Sequence, residues 1–236
     1  MIDLRPYFKH LHWRPMPHSF GVDVASDWAD KADDDPVFGI YKRCGLWTMD
    51  EAQILHGCAY RMSDIYTGDG WLDIGCHTGW TTRHIAEGAL NCAVLAIDPM
   101  LAAPEFDARF YENTGDLAIV RYGRTSNEFF ERCKPDAKCS GVCIDGDHSE
   151  GKPLEDAINA AKHLAERGVI LFHDAVGQPV QEAVEYCVAQ GFRCKAYVTV
   201  HGVVICWRGE FTPPEHTVDG RCAPVMDRLG TLKRFV

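Results

Sequence analysis

The chain has 236 residues, 46% of them hydrophobic and 25% charged, with a formal net charge of −10. That length suits one α/β domain with a modest extension, and the composition is that of an ordinary globular protein. The acidic balance and the lack of any Lys/Arg-rich run argue against a nucleic-acid partner, and no apolar run is long enough to span a membrane.

The beginning of the chain, MIDLRPYFKHLHWRP, lacks the apolar stretch of a secretory signal, so a cytoplasmic location is expected. Residues 1–44 carry Tyr7, Phe8, Trp13, Phe20, Trp28, Phe38 and Tyr41, broken by Pro6, Pro15, Pro17 and Pro36. They are too few for a core of their own and are expected to form an arm or cap on a main domain over 45–211, with a polar tail over 212–236. Thr48 with Glu51 has capping-box spacing and predicts a helix running to about residues 60–65. Strands are then expected near 70–74, 92–97, 117–122, 140–144 and 168–172, alternating with helices near 79–89, 103–112, 126–133, 153–166 and 179–190. On the last helix Val180, Ala183, Val184 and Cys187 share a face, and Gly191 stops it. Such alternation implies a parallel sheet with helices on both faces. KAYVTV and VVICWR, joined at His201-Gly202, leave no room for a helix and predict a terminal antiparallel hairpin.

Eleven cysteines cannot all pair within the chain. There is no C-x-x-C, and Cys133, Cys139 and Cys143 lack zinc-knuckle spacing. Cys92, Cys143, Cys187 and Cys206 sit in apolar contexts, so buried reduced thiols are expected.

The segment WLDIGCHTGW, Trp71 to Trp80, carries the most chemical information. An apolar run ends in Asp73, and Gly75 and Gly79 follow before a helical segment. Strand, tight turn and helix start in that order let a ligand approach the backbone closely. The next apolar run, CAVLAI, ends in Asp98, placed to accept hydrogen bonds from ribose hydroxyls. The spacing G-x-x-x-G, with Cys76 after the first glycine, is neither the dinucleotide fingerprint nor a P-loop. An adenosine-containing ligand without a phosphate to cradle is the expectation.

D-I-G-C-H-T-G followed by V-L-A-I-D resembles motif I and the following acidic motif of class I S-adenosylmethionine-dependent methyltransferases. Downstream, S-G-V-C-I-D-G-D-H-S-E-G and R-G-V-I-L-F-H-D are similar to the branch that holds many small-molecule, sugar or antibiotic-tailoring O-methyltransferases. Upstream, G-L-W-T-M-D-E-A-Q-I-L is similar to the helix preceding motif I there, so the resemblance spans about residues 45–208. It implies a doubly wound, mostly parallel seven-stranded sheet with a C-terminal antiparallel hairpin. It also implies that S-adenosylmethionine is held by Asp73, Gly75, Cys76, His77, Gly79, Asp98, Thr125, Ser126 and Asp145. The hydroxyls of Thr125 and Ser126 have an equally good alternative use as helix caps.

Methyl transfer from a sulfonium needs the reactants positioned and the acceptor's proton removed. His148 and His173 are the candidate bases, with Asp145 beside them, and His148 is preferred because its loop follows the fourth strand. Asp145 and Asp174 match two metal ligands of metal-dependent relatives, which implies Mg²⁺ or another divalent ion. Those relatives carry Asp or Asn next, where this chain has Ala175. The expected partner is a small polar acceptor and not nucleic acid or membrane; monomer and homo-oligomer both stay open. Two other readings stand beside this one. One is a metal-dependent hydrolase built on Asp145, Asp147, His148, His173 and Asp174, and the other a catalytically silent methyltransferase-like binding module.

Overall fold

The computed structural model describes residues 47, 49–63, 70–89, 92–115, 117–218 and 222–236. The expectations for the arm over 1–44 and for Thr48 as a cap lie outside these residues. Strands β1 (Gly70–Ile74), β2 (Val94–Ile97), β3 (Ile119–Tyr122), β4 (Cys139–Ile144), β5 (Leu164–Phe172), β6 (Arg193–Tyr197) and β7 (Val203–Arg208) form one seven-stranded sheet. Its order is β3-β2-β1-β4-β5-β7-β6. The first five strands pair in parallel, and β7 lies antiparallel between β5 and β6. The chain runs outward from β1 to β3 and returns to place β4 on the other side of β1. Reversal at that point opens a crevice beyond the carboxyl ends of β1 and β4, the usual ligand position in open sheets of this kind.

Helices α1 (Met49–Ser63), α2 (Trp80–Gly88), α3 (Pro104–Thr114), α4 (Ser126–Phe130), α5 (Lys152–His163), α6 (Gln178–Ala189) and α7 (Val225–Arg228) complete the described secondary structure, with short 3₁₀ turns at Pro99–Ala102 and Gly230–Phe235. Strand alternation divides the core into two layers. Trp71, Cys143, Val169, Leu171 and Ile205 face α1 and α2, meeting Leu55, Cys58, Met62 and Ile85. Leu72, Ile74, Val142, Ile170 and Phe172 face the other way, onto Ala157, Val180 and Val184 of α5 and α6. Because both faces are covered, β4 is buried along its whole length, which is why it carries no charged residue. Gly141 in that strand has a steric cause: a Cβ there would meet the Trp71 ring at 2.4 Å.

Three expectations change. The helix predicted to residue 166 stops at His163, and Leu164 opens β5 by pairing with Cys139. Leu164 fits helical and strand spacing equally, and the Arg208 guanidinium, by donating to the Leu164 and Ala165 carbonyls, fixes the strand. The predicted hairpin is antiparallel, but β6 ends at Tyr197, so residues 198–202 form a longer connection that carries His201. The C-terminal segment is packed onto the sheet. Arg61 donates to the Thr212 carbonyl and Tyr197 to that of Pro214, while Leu229 and Leu232 are buried in the layer with α6. The ten described cysteines are free thiols, and among the described residues no helix is long and apolar enough to cross a membrane.

Candidate active site

The glycine turn after β1 is held by contacts within the chain. Gly75 has φ +83, and a Cβ there would lie 2.2 Å from the Asp145 carbonyl oxygen. Gly79 has φ +84, and a Cβ there would strike Phe110 and Thr114 of α3. These glycines are therefore needed to seat the turn between β4 and α3, whatever the turn binds. Cys76 buries its thiol among Ala96, Leu101 and Phe110, so residue 76 can meet a ligand only through its backbone. Asp73 is likewise buried. Its Oδ2 accepts from Thr81 Oγ1 at 2.7 Å and Thr82 Oγ1 at 2.5 Å, which latches β1 to the first turn of α2. Burial, opposed by these two hydroxyls, pushes the Asp73 carboxyl up to about 7.

Asp98 ends β2 and caps the following 3₁₀ turn. Oδ1 accepts from the Met100 amide and Oδ2 from the His77 amide, both at 2.8 Å. Each oxygen keeps a second lone-pair direction, so the carboxylate can still receive a pair of hydroxyls. His77 reaches Asp98 only by taking φ 45, and its ring packs edge-on to Phe106 at 5.4 Å. Among the described residues the other non-glycine residue with positive φ is Asp174, at 56. Both lie on the rim of the crevice, where strained backbone commonly marks a working site.

Thr125 and Ser126, expected near adenine, spend their hydroxyls elsewhere. Thr125 is the N-cap of α4 in a reciprocal capping box with Glu128, and Ser126 Oγ donates to Asp156 Oδ1 at 2.5 Å. For Thr125 this is the capping use that the sequence also offered.

The other half of the rim follows β4 and β5. Asp145 Oδ2 accepts from Trp47 Nε1 at 2.6 Å, and its Oδ1 lies 3.1 Å from His173 Nδ1. His173 is 1% exposed and stacks on Trp47 at 4.3 Å. Its Nδ1 also lies 3.3 Å from Asp174 Oδ2, and its Nε2 lies 3.3 Å from Glu51 Oε2. Burial alone would lower the His173 pKa, but the Asp145 and Glu51 carboxylates outweigh it and hold the ring well above the usual histidine range. With both nitrogens facing carboxylates, His173 has neither ring nitrogen turned to the open rim.

His148 differs. Its Nδ1 lies 3.4 Å from Asp174 Oδ2, and its Nε2, itself buried, lies 3.6 Å from Asp145 Oδ1 without a hydrogen bond, although the side chain as a whole is 33% exposed. Asp147 stands apart, exposed, and accepts the Ser149 amide at 2.9 Å, so the five-residue hydrolase set does not converge. Asp145, His148 and Asp174 each put one ligand-type atom within 4.8 Å of the others. An oxygen-rich ion such as Mg²⁺ needs about six ligands, chiefly oxygens. Here both Asp145 oxygens already face N–H groups, and Ala175 supplies no donor, so this donor set does not fit such a centre.

Sequence reasoning missed three residues of this network: Trp47, Glu51 and His201. Glu51 is fully buried, and His201 meets it with its amide at 3.0 Å and with Nδ1 at 3.1 Å. Burial alone would raise the Glu51 carboxyl, but His201 and His173 hold it well below the usual range. A glutamate at an otherwise apolar position of α1, between Trp47 and Ala52, was the available signal.

Residues 72–175 match the profile of a family described as a methyltransferase domain. No curated protein sequence matches the chain significantly. Among solved structures, the chain is similar to an O-methyltransferase from Bacillus cereus in complex with S-adenosylhomocysteine, at 13% identity and TM-score 0.57, covering 70% of this chain and 83% of that one. It is also similar to TomG, an O-methyltransferase of tomaymycin synthesis from Streptomyces achromogenes, in complex with S-adenosylmethionine, at 14% identity and TM-score 0.57 over 70% and 82%. A Corynebacterium glutamicum protein matches at 16% identity and TM-score 0.59 over 89% and 97%. At these identities the likeness establishes the fold, and the profile match runs from β1 to the residue after Asp174. Residues 72–175 thus match a methyltransferase domain, and the solved structures show that the chain has the fold of such proteins.

Proposed function

We propose that the domain transfers a methyl group from S-adenosylmethionine to an oxygen of a small polar acceptor, with His148 removing the acceptor's proton. The observation that carries this reading is the buried Nε2 of His148, which makes no hydrogen bond and lies 3.6 Å from Asp145 Oδ1, on a rim where His173 has both nitrogens committed. Bound S-adenosylmethionine supplies an electrophilic methyl on a sulfonium. The chain's own residues supply position and proton transfer. Asp98 receives the ribose hydroxyls on its remaining lone pairs, and the backbone of residues 75–79 lies along the amino-acid end. Asp174, facing His148 Nδ1, selects the tautomer that leaves Nε2 free to accept a proton. Asp145 stays fixed by Trp47 and His173 and provides negative potential beside the sulfonium. No step is assigned to a metal on this rim.

Asp98, Asp145 and Asp174 line the crevice and disfavour a polyanionic acceptor, which supports a neutral or cationic small molecule rather than nucleic acid. Free thiols support a reducing, cytoplasmic setting. Asp98→Ala is expected to weaken S-adenosylhomocysteine binding by about 1–3 kcal/mol, the loss of charge-assisted hydrogen bonds to ribose, as measured by calorimetric titration. Unchanged affinity in that variant would remove Asp98 from the cofactor site.

A further inference from the structure

Behind the rim, Glu51 of α1, His173 after β5 and His201 before β7 converge from three separate elements. Glu51 Oε2 lies 3.3 Å from His173 Nε2 and 3.1 Å from His201 Nδ1, and Oε1 lies 3.2 Å from the same Nδ1. The two imidazole centroids are 4.9 Å apart. Glu51 is 0% exposed, and the His201 side chain is 20% exposed. A carboxylate is costly to bury, and the sheet does not require one here.

Two of the three separations match the edges of a coordination polyhedron, and all three ligand atoms lie within 4.8 Å of one another. Zinc bonds to nitrogen and oxygen of about 2.0–2.1 Å, set at a tetrahedral angle, hold ligand atoms about 3.3 Å apart. The surroundings fit as well. A metal-bound histidine usually gives its other ring N–H to a carboxylate, and His173 turns Nδ1 to Asp145 at 3.1 Å and to Asp174 at 3.3 Å. Glu51 is itself oriented by the His201 amide. Two imidazoles and one carboxylate favour a zinc-class ion over Mg²⁺ or Ca²⁺.

We infer that Glu51, His173 and His201 form a three-ligand site for a zinc-class divalent metal ion, seated behind the methyl-transfer rim and joined to it through His173. Such an ion ties α1 and the β6–β7 connection to the end of β5, and through His173 it fixes the Asp145 carboxylate. The site is separate from the Asp145, His148 and Asp174 group and does not depend on the identity of the acceptor.

The test is a Co²⁺ titration of the full chain, stripped of metal with a chelator and followed by the visible absorption of tetrahedral cobalt. One equivalent is expected to bind and to be displaced by Zn²⁺. His201→Ala and Glu51→Gln, checked for folding by circular dichroism, are expected to weaken binding at least about 100-fold, whereas His148→Ala keeps it. X-ray absorption at the zinc edge of the unaltered, zinc-loaded protein is expected to report two imidazoles and one carboxylate, and it needs no variant. Failure of the folded chain to take up Co²⁺ overturns the site. So does binding that survives His201→Ala but is lost in His148→Ala, or a zinc edge without imidazole.

Discussion

His148→Ala is expected to lower kcat by about 10²–10⁴, the usual contribution of a positioned general base, and to leave S-adenosylhomocysteine affinity unchanged. The reason lies in how the rim divides its two histidines. His173 is buried, stacked on Trp47 and bracketed by carboxylates on both nitrogens, so neither nitrogen is open to an acceptor. The His148 side chain is partly exposed, with Asp174 near one nitrogen and Asp145 3.6 Å from the other, which makes no hydrogen bond. Removing His148 therefore removes the proton acceptor and leaves in place Asp98, the glycine turn and the contacts proposed for the nucleoside. Release of S-adenosylhomocysteine can be followed with any hydroxylated acceptor that supports turnover in a small-molecule panel. A variant retaining kcat within about threefold would mean that solvent or the acceptor itself handles the proton, and that His148 is a positioning residue at most. Asp174→Asn tests the tautomer separately, because it keeps the shape of the side chain while weakening the preference for Nδ1–H. It should lower kcat by less than His148→Ala and leave affinity alone.

Two buried groups should make stability depend on pH in opposite directions. Asp73 is raised to about 7, first by burial, so between its unfolded value near 4 and pH 7 the folded state binds the extra proton. Its contribution is complete at low pH and is lost as pH rises through about 7. His84 is lowered to about 3 by burial and by neighbouring His56 and Arg83, so the unfolded chain takes up a proton below about 6.5 that the folded chain refuses. Its contribution is complete above pH 6.5 and is lost as pH falls toward 3. Each slope is of the order of 1.4 kcal/mol per pH unit. Measured by urea unfolding from pH 5 to 8, Asp73→Asn should gain on the parent as pH rises. His84→Gln should gain on the parent as pH falls. Parallel curves for parent and variants would show that neither group is charged as its burial requires.

Much of this architecture is legible in the residues. The apolar runs that end in Asp73 and Asp98, the Val180–Cys187 face and the missing crossover before VVICWR are local signals, and local signals suffice to place strands and helices. Boundaries moved where one residue satisfied two patterns, as Leu164 does, or where a connection was longer than its turn residues suggested, as before Gly202. The rim separates along the same line. That Asp145, His148, His173 and Asp174 share an edge follows from strand order alone. Which histidine has both nitrogens engaged depends on Glu51 and Trp47, both far away in the chain, and no spacing rule reaches them. Thr125 and Ser126 show the converse. Their positions suit a ligand or a helix cap; Thr125 caps α4 with Glu128, while Ser126 bonds to Asp156, which no local spacing announces.

Co-crystallisation with S-adenosylhomocysteine bears on all of this at once. Both ribose hydroxyls are expected within hydrogen-bond distance of Asp98, with the amino-acid end lying along the backbone of residues 75–79 and His148 Nε2 facing the space beyond the sulfur. A fully occupied ligand elsewhere, with Asp98 turned only to the His77 and Met100 amides, would contradict it.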